Sequence, residues 1–125
     1  MQYELTQNFY FEAAHTLDRS IESEPSMRIH GHTYHAEVGV RGTPDARGMV
    51  IDLGHLRRAI APVREALDHH LLDKVPGLAR PTIECLCAYI AERLAPQVPG
   101  LAWVKVWREA SGDSCRLVLS HESSL

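Results

Sequence analysis

The sequence predicts an α+β domain with its elements in the order β-β-α-α-β-β, an antiparallel four-stranded sheet carrying two helices on one face. Three observations predict it. The first third of the chain holds two runs in which apolar residues recur at every second position. The middle holds two stripes with helical spacing, and the last part holds two short alternating runs about Ser111-Gly112-Asp113. At 125 residues, 45% hydrophobic and 23% charged, the chain reads as a single domain over 1–125, large enough to bury a core without staples.

The first strand is expected over 2–15, on the alternation Tyr3, Leu5, Phe9, Phe11, Ala13. Residues 16–28, with Asp18, Ser20, Ser23, Pro25 and Ser26, read as a polar loop. The second strand, 29–41, turns His30, His32, Tyr34, Ala36, Val38 and Val40 inward and His35 outward, and Gly42-Thr43-Pro44-Asp45 ends it in a turn. Asp52 suits the N-cap of a helix whose stripe is Leu53, Leu56, Ile60, Val63 and Leu67, with Pro62 expected to kink or split it. Pro81-Thr82 opens a second helix, with Glu84 in the first turn, where the helix dipole favours an acid. Its stripe is Ile83, Leu86, Cys87, Ile90, Ala91 and Leu94, and it ends near Pro96–Pro99. The last two strands are expected at about 102–109 and 115–121, with Trp103 and Trp107 on one face as core or interface.

Composition narrows the function. No apolar run has the length of a membrane span, the N-terminus lacks the regions of a signal peptide, and Cys85, Cys87 and Cys115 form no Cys-x-x-Cys pair. A cytoplasmic protein is the expectation. A net charge of −3 without a basic block argues against nucleic acid as a partner. An anionic small molecule remains compatible, with Arg28, Lys105 and Arg108 as local positive charge.

Eight histidines is a high count, and their placement carries the chemistry. His30 and His32, two apart on a strand, project from one face, and His15 closes the apolar run Phe9-x-Phe11-x-Ala13. Two adjacent strands ending this way gather three imidazoles. Three neutral nitrogen ligands with a fourth position open is the pattern of a catalytic zinc site. An isolated His-x-His is more often two ordinary histidines, but an imidazole is an odd end for an apolar strand if it is merely structural. Asp68-His69-His70 directly follows a helix. A carboxylate bonded to an imidazole fixes its tautomer and makes the other nitrogen a better base, whereas histidines at a helix end also serve as caps. Glu109 reads as an ordinary acid at a strand end, and Thr82 as an N-cap.

These residues together resemble the 6-pyruvoyl-tetrahydropterin synthase family, and most of all its bacterial branch, the 6-carboxytetrahydropterin synthases of the queuosine pathway. Phe11-Glu12-Ala13-Ala14-His15, His30-Gly31-His32, Val50-Ile51-Asp52-Leu53, Leu67-Asp68-His69-His70, Pro76-Gly77-Leu78, Pro81-Thr82-x-Glu84 and the strand ending in Glu109 carry the resemblance across nearly the whole chain. It implies a tunnelling fold whose sheets join edge to edge into barrels, as a homohexamer of two trimers. It implies Zn2+ on His15, His30 and His32, acting as a Lewis acid on side-chain hydroxyls of the pterin 7,8-dihydroneopterin triphosphate. It implies Asp68 and His69 as a proton-relay pair, Glu109 as the acid anchoring the pterin's guanidine-like edge, and Thr82 in the pterin pocket.

One departure matters. The family's general base is a cysteine in the loop before His-Gly-His, and the two positions where its branches place it hold Ser26 and Glu24 here. A serine hydroxyl is a far poorer base than a thiolate. Some relatives use a glutamate from this loop, which makes Glu24 the candidate, with Glu22 behind it. The expected function is therefore a zinc-dependent pterin synthase or lyase giving 6-carboxytetrahydropterin or 6-pyruvoyl-tetrahydropterin. The alternatives are a paralog cleaving the side chain of a related pterin, and a pterin- or zinc-binding protein without catalysis. Retention of Asp68, His69 and Glu109 favours an enzyme, since a binder needs no relay.

Overall fold

A computed structural model of the chain describes residues 1–16 and 29–119. Strands β1 (Tyr3–His15) and β2 (His30–Gly42) form a long antiparallel pair, followed by helices α1 (Leu53–Leu67) and α2 (Ile83–Leu94). Strands β3 (Leu101–Arg108) and β4 (Asp113–Val118) complete one sheet in the order β1-β2-β3-β4. The expected α+β architecture and element order are those observed.

Alternation sets which face is which. Phe11, Ala13, Tyr34, Ala36, Val38, Val104 and Val106 face the helices and join Leu56, Ile60, Val63, Leu67, Leu86, Ile90 and Leu94 in one buried cluster. Each helix begins where its cap dictates. Asp52 Oδ1 accepts from Gly54 N–H at 2.8 Å, and Thr82 Oγ1 accepts from Cys85 N–H at 3.1 Å. Pro62 neither splits nor ends α1. It sits with Arg58 on the exposed side, so the Arg58 carbonyl that a proline cannot serve faces water.

The opposite face of the sheet holds the tryptophans. Trp103 is 3% exposed, packed flat on Gly39, and its Nε1–H donates to Glu4 Oε1 at 2.9 Å. Trp107 stacks on His35, with ring centroids 5.3 Å apart. Thus His35 points away from the helices, as its strand parity requires.

The last hairpin is tighter than the sequence suggested. β3 ends at Arg108 and β4 begins at Asp113, so Glu109 lies in the turn and not on the strand. Arg108 grips Asp113 through two hydrogen bonds, of 2.8 and 2.7 Å, while Gly112 takes a left-handed φ of +75° and donates to Arg108 O. These contacts close the turn directly beyond Arg108. No helix among the described residues is long and apolar enough to cross a membrane.

Candidate active site

The β1–β2 register brings the three histidines together. His15 pairs directly with His30 and Ala13 with His32, so His32 lies diagonal to His15 on the same face. Ring centroids are 4.4 Å apart for His15–His30, 4.9 Å for His15–His32 and 5.0 Å for His30–His32. Each offers one nitrogen, and the three nitrogens lie within 4.8 Å of one another. The triad fits a cation. Nε2 of His15 and Nε2 of His32 are buried with no hydrogen-bond partner among the described residues. Leaving such a group unpaired costs about 1–3 kcal/mol, a penalty that a bound ion removes. Burial, then the charges of neighbouring His15, Arg108 and His30, lowers the pKa of His32 to about 4. Burial likewise lowers His15. Both are therefore neutral near pH 7, the state in which imidazole binds a metal.

Outer contacts set the direction of His15. Its Nδ1–H is 3.2 Å from Pro81 O and 3.3 Å from the Tyr34 hydroxyl oxygen, which leaves Nε2 with its lone pair. Burial pushes Tyr34 up to about 12, so it stays a neutral phenol, and its hydroxyl in turn meets Arg108. Arg108 is fixed by Asp113. A buried polar chain thus runs from His15 through Tyr34 to the β3–β4 turn that carries Glu109. Beyond His15, Thr16 N–H donates to Asp73 Oδ1 at 2.9 Å and its hydroxyl to Asp73 Oδ2, fixing the end of β1 to the short 3-10 turn Leu72–Lys74. Sequence reasoning missed these supports. Tyr34 continues the parity of His30 and His32, which is a usable signal, but Asp73 and Asp113 look like any other loop acid.

The Asp68-His69 pair is built against β1. Asp68 Oδ1 accepts from Glu12 N–H at 2.9 Å, Oδ2 lies 2.9 Å from His69 Nδ1, and Arg64 stands 3.5 Å away. The Glu12 bond, ahead of the His69 contact, holds Asp68 below its ordinary pKa. With Nδ1–H donating to a carboxylate, His69 presents Nε2 as a base. His70 serves the end of α1, its N–H donating to Leu67 O at 3.3 Å and its Nδ1 lying 2.8 Å from Asp68 O. His69 N–H donates to Glu12 O and Ala14 N–H to His70 O, which adds the 69–71 segment to the outer edge of β1. His69 carries a left-handed φ of +59°, a conformation costly for a non-glycine residue and found mostly where surroundings enforce it. Its exposed ring opens onto a cleft of about 540 Å³ shared with His32, Glu12, Gly31 and Thr33.

The structure thus brings His15, His30 and His32 together and sets His69 on the same cleft as His32. Thr82 caps α2 and adjoins Pro81, whose carbonyl holds His15. Glu109 lies exposed in the β3–β4 turn. Glu24, Glu22 and Ser26 lie outside the described residues, as does Arg28.

Residues 4–118 match the profile of the 6-pyruvoyl tetrahydropterin synthase family. The chain belongs to that family. A 6-carboxy-5,6,7,8-tetrahydropterin synthase from Synechocystis sp. is 37% identical over 105 residues, 78% of this chain and 80% of that protein. A dihydroneopterin monophosphate aldolase from Pyrococcus furiosus is 34% identical over 90 residues, 72% of this chain and 73% of its own. Among solved structures, the Caenorhabditis elegans 6-pyruvoyl tetrahydropterin synthase superposes with a TM-score of 0.82 at 26% identity, covering 96% of this chain and 97% of that one. The synthase family places this chain among enzymes, and its histidine cluster is a set able to hold a metal ion.

Proposed function

We propose that the protein is a zinc-dependent pterin lyase or synthase, with His15, His30 and His32 as the ligands and 7,8-dihydroneopterin triphosphate as the substrate. The observation that carries the proposal is the pair of buried, partnerless Nε2 atoms on His15 and His32, gathered with His30 into a cluster able to hold a metal ion. Zinc bound there supplies a Lewis acid for a hydroxyl oxygen of the substrate. The protein's own residues supply the proton chemistry. Asp68 holds His69 with Nε2 free to accept or return a proton, and a loop carboxylate, Glu24, takes the place of the family's cysteine as the base. Glu109 anchors the guanidine-like edge of the pterin with two acceptor oxygens, and Thr82 lines the pterin pocket. The product is 6-carboxytetrahydropterin or 6-pyruvoyl-tetrahydropterin.

A second reading, cleavage of the side chain of a related pterin, draws support from two observations. The loop has no cysteine, and one relative is named as an aldolase for dihydroneopterin monophosphate. Incubating the purified protein with the triphosphate and with the monophosphate, then identifying products by mass, separates the readings. A carboxy- or pyruvoyl-tetrahydropterin supports the first, and a hydroxymethyl pterin the second. Zinc content near one per chain after dialysis, lost in His32→Ala, is expected under both. Full metal retention in that variant overturns the ligand assignment.

A further inference from the structure

The histidine cluster is backed by Tyr34, which is fully buried on β2. Parity places it there: His30, His32 and Tyr34 share one face of the strand, and the phenol is the next inward residue behind the ligands. Its ring stands nearly at right angles to two of the imidazoles, with centroids 6.1 Å from His15 and 5.6 Å from His32. It also stacks on Phe11, 5.2 Å away with the planes 15° apart. The core therefore fixes the plane of the ring, and with it the place of the hydroxyl.

Two lines of contact meet at that hydroxyl. On one side its oxygen lies 3.3 Å from Nδ1 of His15, which Pro81 O approaches at 3.2 Å. A carbonyl only accepts, so Nδ1 carries the proton, and the Tyr34 oxygen is a second acceptor for it. On the other side Arg108 donates to the same oxygen, and Asp113 holds Arg108 through two hydrogen bonds of 2.8 and 2.7 Å. A fork held at two points is fixed in direction as well as in position. The charge of Arg108 is felt at His15 and His32, where it opposes a further cation. Asp113 offsets that charge, and what Arg108 contributes there is the placement of the Tyr34 oxygen.

We propose that Tyr34 is the positioning residue of the metal site, held by the Arg108–Asp113 pair, so that the β3–β4 turn sets how tightly the histidines bind their metal. The inference rests on the metal reading above and is independent of which pterin is the substrate. Tyr34 acts through His15, by fixing its ring and leaving Nε2 free for the ion. Asp113 acts at a further remove, since its side chain bonds to Arg108 and Ser111. Its charge also reaches His32 through space. The two routes are separable. An effect of charge alone persists without the Tyr34 hydroxyl, and an effect transmitted through that hydroxyl does not.

Titration of the metal-free full chain with zinc, in competition with a chromophoric chelator, gives the affinity without requiring turnover. Tyr34→Phe keeps the ring and removes the oxygen, and is expected to bind zinc weaker by about tenfold or more, as when a ligand histidine loses an outer partner. Its cobalt(II) form should show a shifted visible spectrum, which reports ligand geometry and which a merely less stable fold does not produce. Asp113→Asn is expected to weaken zinc binding by at least about twofold, and to have no further effect in the Tyr34→Phe background. Tyr34→Phe that binds zinc as wild type does, or an Asp113→Asn effect that persists in full without the hydroxyl, overturns the proposal. The Asp113 side chain is 40% exposed, so its variant reports even where Tyr34→Phe fails to fold, and an unchanged cobalt spectrum and zinc affinity in it then overturn the proposal. Wild type that takes up no zinc overturns the metal reading and this inference with it. Zinc affinity that depends on Tyr34, in a protein that turns over no pterin, supports the inference and removes only the substrate reading.

Discussion

Two buried imidazoles, His15 and His32, make this protein sensitive to acid. His32 titrates at about 4 in the fold and near 6.5 when unfolded, and His15 is lowered in the same direction. Between these values the unfolded chain binds more protons than the folded one, so stability rises with pH across that window. The metal-free protein is therefore expected to lose stability as pH falls from about 6.5 to about 4, with no contribution from these groups above it. Urea midpoints measured across that range check it, and a His32→Ala protein should show a shallower slope. The lowered carboxylates Asp68, Asp73 and Asp113 act below their ordinary value of 3.8, and the exposed Glu4 below 4.5, so the histidines dominate the upper part of that window. A second expectation at this scale concerns the base. Glu24→Gln should lose at least about a hundredfold in turnover with zinc retained, while Ser26→Ala loses little. Asp68→Asn should fall as well, because His69 then loses the carboxylate that fixes its tautomer. Full activity in Glu24→Gln with an inactive Ser26→Ala would reverse the assignment.

Among the elements, β2 and β3 carry the closest fit. A Cβ on Gly39 would stand 2.2 Å from a ring carbon of Trp103, on a face where that ring is pinned by Glu4 and covered by Arg116 at 4.2 Å. Gly39→Val is expected to destabilise the fold by about 1–3 kcal/mol through overpacking, read from denaturant midpoints. Exposed Gly48, where a Cβ meets nothing within 4 Å, is not a clean control because its φ of +80° strains any side chain. A Gly31→Ala protein is the better comparison. There the nearest atom lies at an ordinary 3.7 Å and φ is not left-handed, so its stability should stay near wild type.

For the whole molecule the open question is the sheet's edges. On β1, the backbone of Tyr10, Glu12 and Ala14 is met by Arg64, Asp68, His69 and His70, so even-numbered residues direct their polar groups outward. By the same alternation Glu4 and Thr6 present an open strand edge, and β4 presents another across the sheet. Natural proteins pair, cover or charge such edges. Closing several sheets into one barrel pairs them all, which is the assembly the family resemblance implies. Light scattering at micromolar concentration is expected to give an oligomer, a hexamer of two trimers. A monomer alone would contradict that assembly.

Much of this was legible in the chain because it rests on period and parity. Alternation along 3–15 and 30–42 determined which side chains face the helices, and hence that His15, His30 and His32 share a face. Asp52 and Thr82 marked their helix starts because a cap is a local hydrogen bond. What depended on contacts between distant segments was not legible. That Glu109 leaves the strand follows from Arg108 meeting Asp113, and that Pro62 is harmless follows from which side of α1 faces water. At Asp68-His69-His70 both readings hold, since His70 serves the helix end while Glu12, a residue on another element, donates to Asp68 and accepts from His69 N–H. The sequence alone determined which residues have the right chemistry and which face they share. Only the tertiary structure decided what orients them, because orientation belongs to groups far apart in the chain.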